Sequence, residues 1–459
     1  MFKLSIRRKN MTKMVYPVLV GLLLGINGCD SSSDSNNTST TSSSVVQETV
    51  ASSSSQSVSS TVSSAISSSS SSSDGDVSSM SDRNVVDKNA LVRANTLFNN
   101  DLYQELKSEG ENLFYSPFSV FSALSMNYAG ARNATKREFE TVLHYDENLS
   151  VHESFAALLE QGAPEYNVLN IANSLWPQEG YSFKDSFIDT VEHAYDTNVM
   201  YQNYLDNPEV ARVNINAWVE AQTQNKIVDL IPSLTEDTRL VLVNAIYFKG
   251  TWEVSFDKND TDIQPFYLSD GTQENVEMMH LGAHRFSYYE NADFQMLVLP
   301  YKENEFSMLI FLPKELAKLS ETESILQKSS PMTAYTHLKQ VIVSLPKFTI
   351  KWGTFNLTDA LKKQGMINTF DRYAADFGDM YDAQESLENV YISDIYHQAF
   401  IEVNEEGAEA AAATAVVDVG VSGGIPSGPT VFNADHPFIF YIIDNRSQMI
   451  LFSGKLERP

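Results

Sequence analysis

Cysteine is almost missing from this chain of 459 residues, which has one, Cys29. A single thiol excludes any disulfide within the chain and any cysteine cluster for zinc or iron. Basic residues are also scarce: 32 Lys and Arg stand against 59 Asp and Glu, for a formal charge of -27. A surface of that sign cannot displace counterions from a polyphosphate, so nucleic acid is excluded as a partner and the charge serves solubility. No internal repeat is evident, and no Gly/Pro-rich linker splits the later part of the chain. What is abundant is apolar and aromatic mass. Hydrophobic residues make up 42%, with 25 Phe and 21 Tyr, enough for a substantial buried core.

The first thirty residues have their own logic. Lys3, Arg7, Arg8, Lys9 and Lys13 precede an apolar run from Met14 to Ile26, and no acidic residue occurs before Asp30. This is the layout of a signal peptide, and the run is too short for an ordinary spanning helix. It ends in Ile26-Asn27-Gly28-Cys29, which resembles the lipobox of bacterial lipoproteins. The resemblance implies removal of residues 1–28, lipidation of Cys29, and a place in the bacterial cell envelope, periplasmic or on the cell surface. Asn27 is an uncommon residue at its position, and a plain secretory peptide with an incidental Cys29 is the alternative. Asp30 resembles an inner-membrane retention signal of some bacteria. From Cys29 to residue 83 the chain is mostly Ser with Thr, Asn, Gln and scattered Val. Such a composition buries too little apolar area to offset chain entropy, so it reads as a flexible tether. Composition changes at Arg83-Asn84-Val85-Val86, and residues 84–459 read as one globular domain.

Within that domain, Asn89 to Leu106 has helical periodicity. Ser116-Pro117 starts a second apolar helix through Tyr128, closed by Gly130, and more helices are expected to about Gly162. Strand-like runs rich in Val, Ile, Phe and Tyr follow over Val168 to Leu175, Arg239 to Phe248, Phe294 to Leu299, Phe306 to Leu312, Val341 to Thr349 and Phe438 to Ile443. The fold class is α+β with large sheets.

The residues themselves resemble the serpin family from about 84 to 459. Asn112-Leu113-Phe114-Tyr115-Ser116-Pro117-Phe118-Ser119-Val120 is similar to the family signature at its second helix, continued by Ala123-Leu124 and Gly130-Ala131. Asn216, Trp218-Val219, Thr223 and Lys226-Ile227 precede Leu242-Val243-Asn244-Ala245-Ile246-Tyr247-Phe248-Lys249-Gly250-Thr251-Trp252, a run highly specific to serpins. Leu345-Pro346-Lys347-Phe348, Gly365-Met366, His397 through Gly407, His436-Pro437-Phe438 and Phe452 to Lys455 then follow in family order. The resemblance implies about nine helices around three sheets, with a central sheet able to accept one more strand. It makes Ser116, Ser119, Asn244 and His397 the polar cluster under the place where that sheet opens, and puts Trp252 and Glu405 where insertion begins. Buried polar groups satisfied by hydrogen bonds are the plainer description of the same four residues.

The bait loop is expected between about Gly407 and Pro429, with its hinge in Glu405, Glu406, Gly407, Ala408, Glu409, Ala410, Ala411, Ala412, Ala413 and Thr414. An Ala block alone favours a helix. Its place before His436-Pro437-Phe438 favours a segment that becomes a sheet strand, for which small side chains are needed. Alternation then puts Ala408, Ala410, Ala412, Thr414, Val416 and Asp418 on one face, and only Asp418 is unsuited to burial. Family spacing places the reactive bond between Val421 and Ser422. Counting back from His436 places it near Gly424-Ile425-Pro426, and cleavage after Val417 or Gly420 stays open. A small aliphatic residue before the bond suits the shallow pocket of an elastase-like serine peptidase, which is the expected partner, while a trypsin-like enzyme needs Lys or Arg there. The expected function is suicide inhibition by a monomer that uses no cofactor and no metal and is not an enzyme. The alternatives are a surface binding protein of the same fold that never traps a peptidase, and an inhibitor mainly of papain-like cysteine peptidases.

Three other motifs carry little. Gly420-Val421-Ser422-Gly423-Gly424 matches G-x-S-x-G, but Ile425-Pro426 forbids the helix that a nucleophile elbow needs. Ser344 to Lys347 matches S-x-x-K, but Pro346 makes it a strand end. His280 and His284 have the spacing of a helical metal pair, yet Gly282 weakens a helix and no Glu base lies between them, so they read as surface histidines.

Overall fold

The structure is a computed structural model and describes residues 85–459 except 161–163, 198, 329–335, 383–388 and 409–427. Cys29, Glu409 to Thr414, Asp418, Val421 and Ser422 therefore lie outside the described residues.

Helix α1 (Lys88–Leu106) begins where Asp87 caps it, its carboxylate accepting from the Asn89 and Ala90 amides at 2.8 and 3.1 Å. Leu91, Ala94, Phe98 and Leu102 form its buried stripe. Helix α2 (Pro117–Tyr128) is capped by the Ser116 hydroxyl and has Pro at its first turn, where a missing amide does no harm. Every residue of α2 except Tyr128 is buried, because the helix lies between two sheets and packs on β3 of one and β14 of the other. Helices α3 (Asn133–Val142), α4 (Val151–Leu159), α5 (Asp185–Tyr195), α6 (Pro208–Gln222), α7 (Leu319–Lys328) and α8 (Thr358–Gln364) complete the set among the described residues.

The larger sheet has nine strands. Its order is β1 (Leu113–Tyr115), β14 (Ile450–Leu456), β13 (Phe438–Asp444), β7 (Phe306–Pro313), β6 (Phe294–Pro300), β5 (Gln273–Glu290), β8 (His337–Pro346) and β12 (Thr430–Asn433), with β4 (Asp262–Tyr267) also on β5. The smaller sheet runs β2 (Val168–Pro177), β3 (Leu240–Thr251), β11 (Gly407–Ala408), β10 (Asp394–Asn404), β9 (Phe348–Asn356). The two hydrogen-bonded sheets differ from the three expected, because β5 runs 18 residues and stays paired with β8 across a bulge at Leu281 to His284, so that one ladder joins regions otherwise counted separately.

The expected run Val341 to Thr349 is also corrected. It is two strands in two different sheets, β8 and β9, broken at Lys347 just after Pro346, which has no amide to continue a ladder. The remaining runs coincide with β2, β3, β6, β7 and β13.

Aromatic side chains join the sheets. Phe114 stacks on Phe452 at 5.2 Å, Phe248 of β3 meets Phe452 at 5.9 Å, and Phe348 of β9 meets Phe440 at 5.6 Å. Each buried ring contributes about 1.5–3 kcal/mol by burial, with about 0.5–1.5 kcal/mol more for each well-oriented pair.

Candidate functional site

The centre of the smaller sheet departs from the antiparallel pattern around it. Strands β3 and β10 pair in parallel from Val241 opposite Asp394 to Tyr247 opposite Phe400. Parallel pairing is slightly weaker per residue than antiparallel. Above this seam the two strands part, and β11 lies between them, antiparallel to both: Gly407 opposes Thr251 and Asn404, and Ala408 opposes Gly250 and Val403. The segment expected to insert thus already contributes two residues to the sheet. Ala408 is 1% exposed, so a small side chain is required at the first inserted position. Gly407 has φ +146°, and a Cβ there would collide with the Gly250 carbonyl. A residue without a side chain is the one that fits.

Beneath the seam, Ser116, Ser119, Asn244 and His397 do come together, with no exposed surface on any of them. Parallel register places His397 opposite Asn244. The Ser116 amide donates to His397 Nε2 at 3.0 Å, so this nitrogen carries no proton and Nδ1–H is left to donate to Asn244 Oδ1. Burial holds His397 neutral and lowers its pKa to about 3. Asn244 Nδ2 donates to Ser119 Oγ at 2.5 Å and to Asn173 Oδ1 at 2.6 Å, and the Ser116 hydroxyl donates to the Leu451 carbonyl at 2.6 Å. Asn173 of β2, opposite Asn244 in register, is a fifth member that the sequence reading missed. Its only signal was its place as one of two amides, with Asn170, inside the largely apolar run Val168 to Leu175. The network ties β2, β3, β10 and β14 to the first turn of α2.

The upper end is built around the turn Asn404 to Gly407. Trp252 donates its indole N–H to the Asn404 carbonyl at 3.0 Å and its amide to the Glu406 carbonyl at 2.9 Å, while its ring stacks on Tyr301 at 4.4 Å. Glu405 accepts from the Thr261 hydroxyl at 2.9 Å and pairs with Lys347 at 3.4 Å. Burial pushes the Glu405 carboxyl up, but hydrogen bonds from its own backbone amide and Thr261, with the Lys347 charge, bring it below the usual range. Glu406 pairs with Lys258 at 2.5 Å. A cleft of about 470 Å³ opens here, lined by Lys258, Thr261, Glu277, Lys347, Glu402, Asn404 and Glu405.

Among the decoys, Ser344 and Lys347 flank a strand end as expected, and His280 and His284 lie on strand β5 rather than on a helix. His280 is no idle surface group, since it bridges Ser344 Oγ and Asp262 Oδ1, each at 2.9 Å. No group of three or more His, Cys, Asp and Glu side chains suited to a metal ion occurs among the described residues.

A sheet whose parallel pair is parted at one end by β11, over a buried polar cluster, is the arrangement that the serpin resemblance implies. The sequence profile described as Serpin (serine protease inhibitor) matches residues 93–459, and the chain belongs to the serpin family. It is similar to an uncharacterized serpin-like protein of Methanosarcina mazei, 37% identical over 388 residues that cover 80% of this chain and 87% of that one. Serpin B3 of Homo sapiens is 37% identical over 397 residues, covering 81% of this chain and all of the relative. Leukocyte elastase inhibitor of Xenopus laevis is 34% identical over 383 residues, covering 80% and 99%. Among solved structures, Serpin48 of the insect Tenebrio molitor aligns with a TM-score of 0.71 at 31% identity, covering 81% and 98%. Uncleaved ovalbumin aligns with 0.70 at 29%, covering 80% and 100%.

Proposed function

We propose that this protein is a single-use trap for a serine peptidase of elastase-like preference. The observation that carries the reading is β11: the hinge already stands in the sheet with Gly407 and Ala408, at the head of a seam whose parallel strands can part. The target's serine oxygen attacks the carbonyl carbon of Val421. The bond to Ser422 breaks, its nitrogen leaves with a proton from the peptidase, and the loop is held as an acyl-enzyme. Ala410, Ala412 and Thr414 then follow Ala408 between β3 and β10 and carry the attached enzyme along, distorting its site before water arrives. The chain supplies no nucleophile. Val421 and the name of the leukocyte elastase inhibitor to which the chain is similar support the elastase-like preference. The lipobox-like Ile26 to Cys29 supports a lipid anchor at Cys29 and display of a monomeric domain on the cell envelope through the Ser-rich tether.

The test mixes the protein with elastase near one to one. A denaturant-stable complex together with a released peptide beginning at Ser422 is the expected result. Clean cleavage with active elastase remaining would make the chain a substrate and return the question to the surface binding protein, while a stable complex with papain only would move the target class to cysteine peptidases.

A further inference from the structure

A second cleft, of about 670 Å³, shares no residue with the hinge cleft and lies where the end of α1, the start of α7, the end of β14 and the turn after β4 meet. Its floor carries charge of both signs. Lys107 Nζ pairs with Glu323 Oε2 at 2.7 Å, and Tyr103 donates its hydroxyl to Glu323 Oε1 at 2.9 Å. Lys455 Nζ pairs with Glu457 Oε1 at 2.9 Å and donates to the Ser108 carbonyl at 2.7 Å, while the Ser269 hydroxyl donates to Glu457 Oε2. Lys107 and Ser108 are chain neighbours, so the two ion pairs stand side by side. Lys455, Glu457 and Glu323 are 3%, 4% and 6% exposed. Taking two ion pairs out of water costs more than an apolar plug of the same volume would, so fold stability alone does not account for them.

The carboxylates of this floor are engaged and the ammonium groups are not fully so. Each oxygen of Glu323 and of Glu457 already has a donor. Among the described residues Lys455 Nζ has two acceptors for its three protons, and Lys107 Nζ has one, with the Tyr103 ring 6.0 Å away. The first turn of α7 adds the positive end of a helix. A carboxylate entering the cleft therefore meets spare donors from two lysines. At the rim, Glu109 is exposed, has no partner among the described residues, and offers acceptors to an ammonium group. Half-buried Leu316 and Leu319 supply an apolar wall. The backbone is extended at Lys107, which sets Glu109 about 7 Å along the chain from it, the separation of the two ends of about two extended residues. Two lysines and three glutamates line the cleft, so a polyanion is repelled and a ligand with one charge of each sign is not.

We propose that this cleft binds a short apolar peptide with free ends, its carboxylate on Lys107 and Lys455, its ammonium on Glu109, and its side chains against Leu316 and Leu319. The volume lies within the range of small-ligand pockets and has room for about two to three residues. No bond is made or broken there. The site uses none of the residues of the seam or the hinge, so its occupancy and the trapping of a peptidase are separate properties of the chain.

Ligand-observed NMR of leucyl-leucine titrated onto the full chain tests this without any peptidase. Binding is expected with a Kd on the order of 1 mM, weakened about tenfold by amidation of the peptide's carboxylate and about threefold by acetylation of its amine. Lys107→Gln should weaken leucyl-leucine about tenfold and leave the amidated peptide unaffected, and Glu109→Gln should weaken it about threefold and leave the acetylated peptide unaffected. A merely structural effect of either substitution would not follow the matching end of the ligand. Should Lys107→Gln fail to fold, Leu316→Trp fills the apolar side of the cleft and must abolish binding in a chain that still unfolds cooperatively. No saturation by about 20 mM, equal binding of the free and capped peptides, or affinities untouched by both substitutions would each overturn the site. Octanoate bound as tightly as leucyl-leucine would reduce it to a simple anion site and overturn the peptide assignment.

Discussion

Two interior seams of this molecule are built in opposite ways. Between the sheets, Phe114, Phe248, Phe348, Phe440 and Phe452 meet stacked or tilted with nothing polar to break. Between β3 and β10, the ladder is parallel and rests on three amide or imidazole side chains and two hydroxyls. Apolar contact has no preferred partner and tolerates small slips, whereas a buried polar network is either complete or expensive. The first seam therefore depends little on any one contact, whereas the second depends on each of its hydrogen bonds.

Acid should separate the two most strongly. In the unfolded chain a histidine takes up its proton near pH 6.5, while His397 in the fold does so only near about 3 and His152, half-buried beside Tyr195, near about 4. Between those limits the unfolded state binds protons that the native state refuses, so stability falls as pH falls, by about 1.4 kcal/mol per pH unit for each group and up to about 4–5 kcal/mol for His397. Urea midpoints between neutral pH and about pH 4 should show the slope. In His397→Gln it should be roughly halved, and an unchanged slope would mean that the polar seam does not control acid stability.

Next in size is Gly407→Val, which meets both a positive φ and the Gly250 carbonyl, for a loss of about 3 kcal/mol in thermal unfolding and failure to form complex with elastase. Asn244→Ala leaves the donors and acceptors of Ser119, Asn173 and His397 short of partners and should cost about 2–3 kcal/mol by urea titration. A large-to-small change in the aromatic seam, Phe114→Leu, should cost a similar amount yet leave the pH slope unaltered. The smallest effect is expected of Lys258→Ala, since its pair with Glu406 is exposed on the lysine side; variant and parent should unfold at nearly the same urea midpoint, and a clear separation would make the upper turn a stronger lock than its geometry implies.

Much of this was legible in the residues. Ser116-Pro117 marks the start of α2 because a hydroxyl cap and a missing amide both suit a helix N-terminus. The apolar runs mark β3, β7 and β13 because strands buried on both faces lack alternation. What stayed hidden depended on register. Asn173 is an ordinary amide until β2 sets it opposite Asn244, and His280 is an ordinary histidine until β8 sets Ser344 opposite it. The division of Val341 to Thr349 between two sheets was signalled by Pro346 alone, and the continuous apolar pattern masked it.

That division gives the molecule a lever. Strand β8, which holds the far end of the loop, and strand β9, which pairs with a wall of the seam, are one unbroken piece of chain turning at Lys347. The lysine is tied to Glu277 on one side at 3.3 Å and to Glu405 at the hinge on the other at 3.4 Å. One lysine thus joins the strand beside β12 to the turn that carries Glu405, so a single substitution at Lys347 reaches both ends of the segment between β11 and β12.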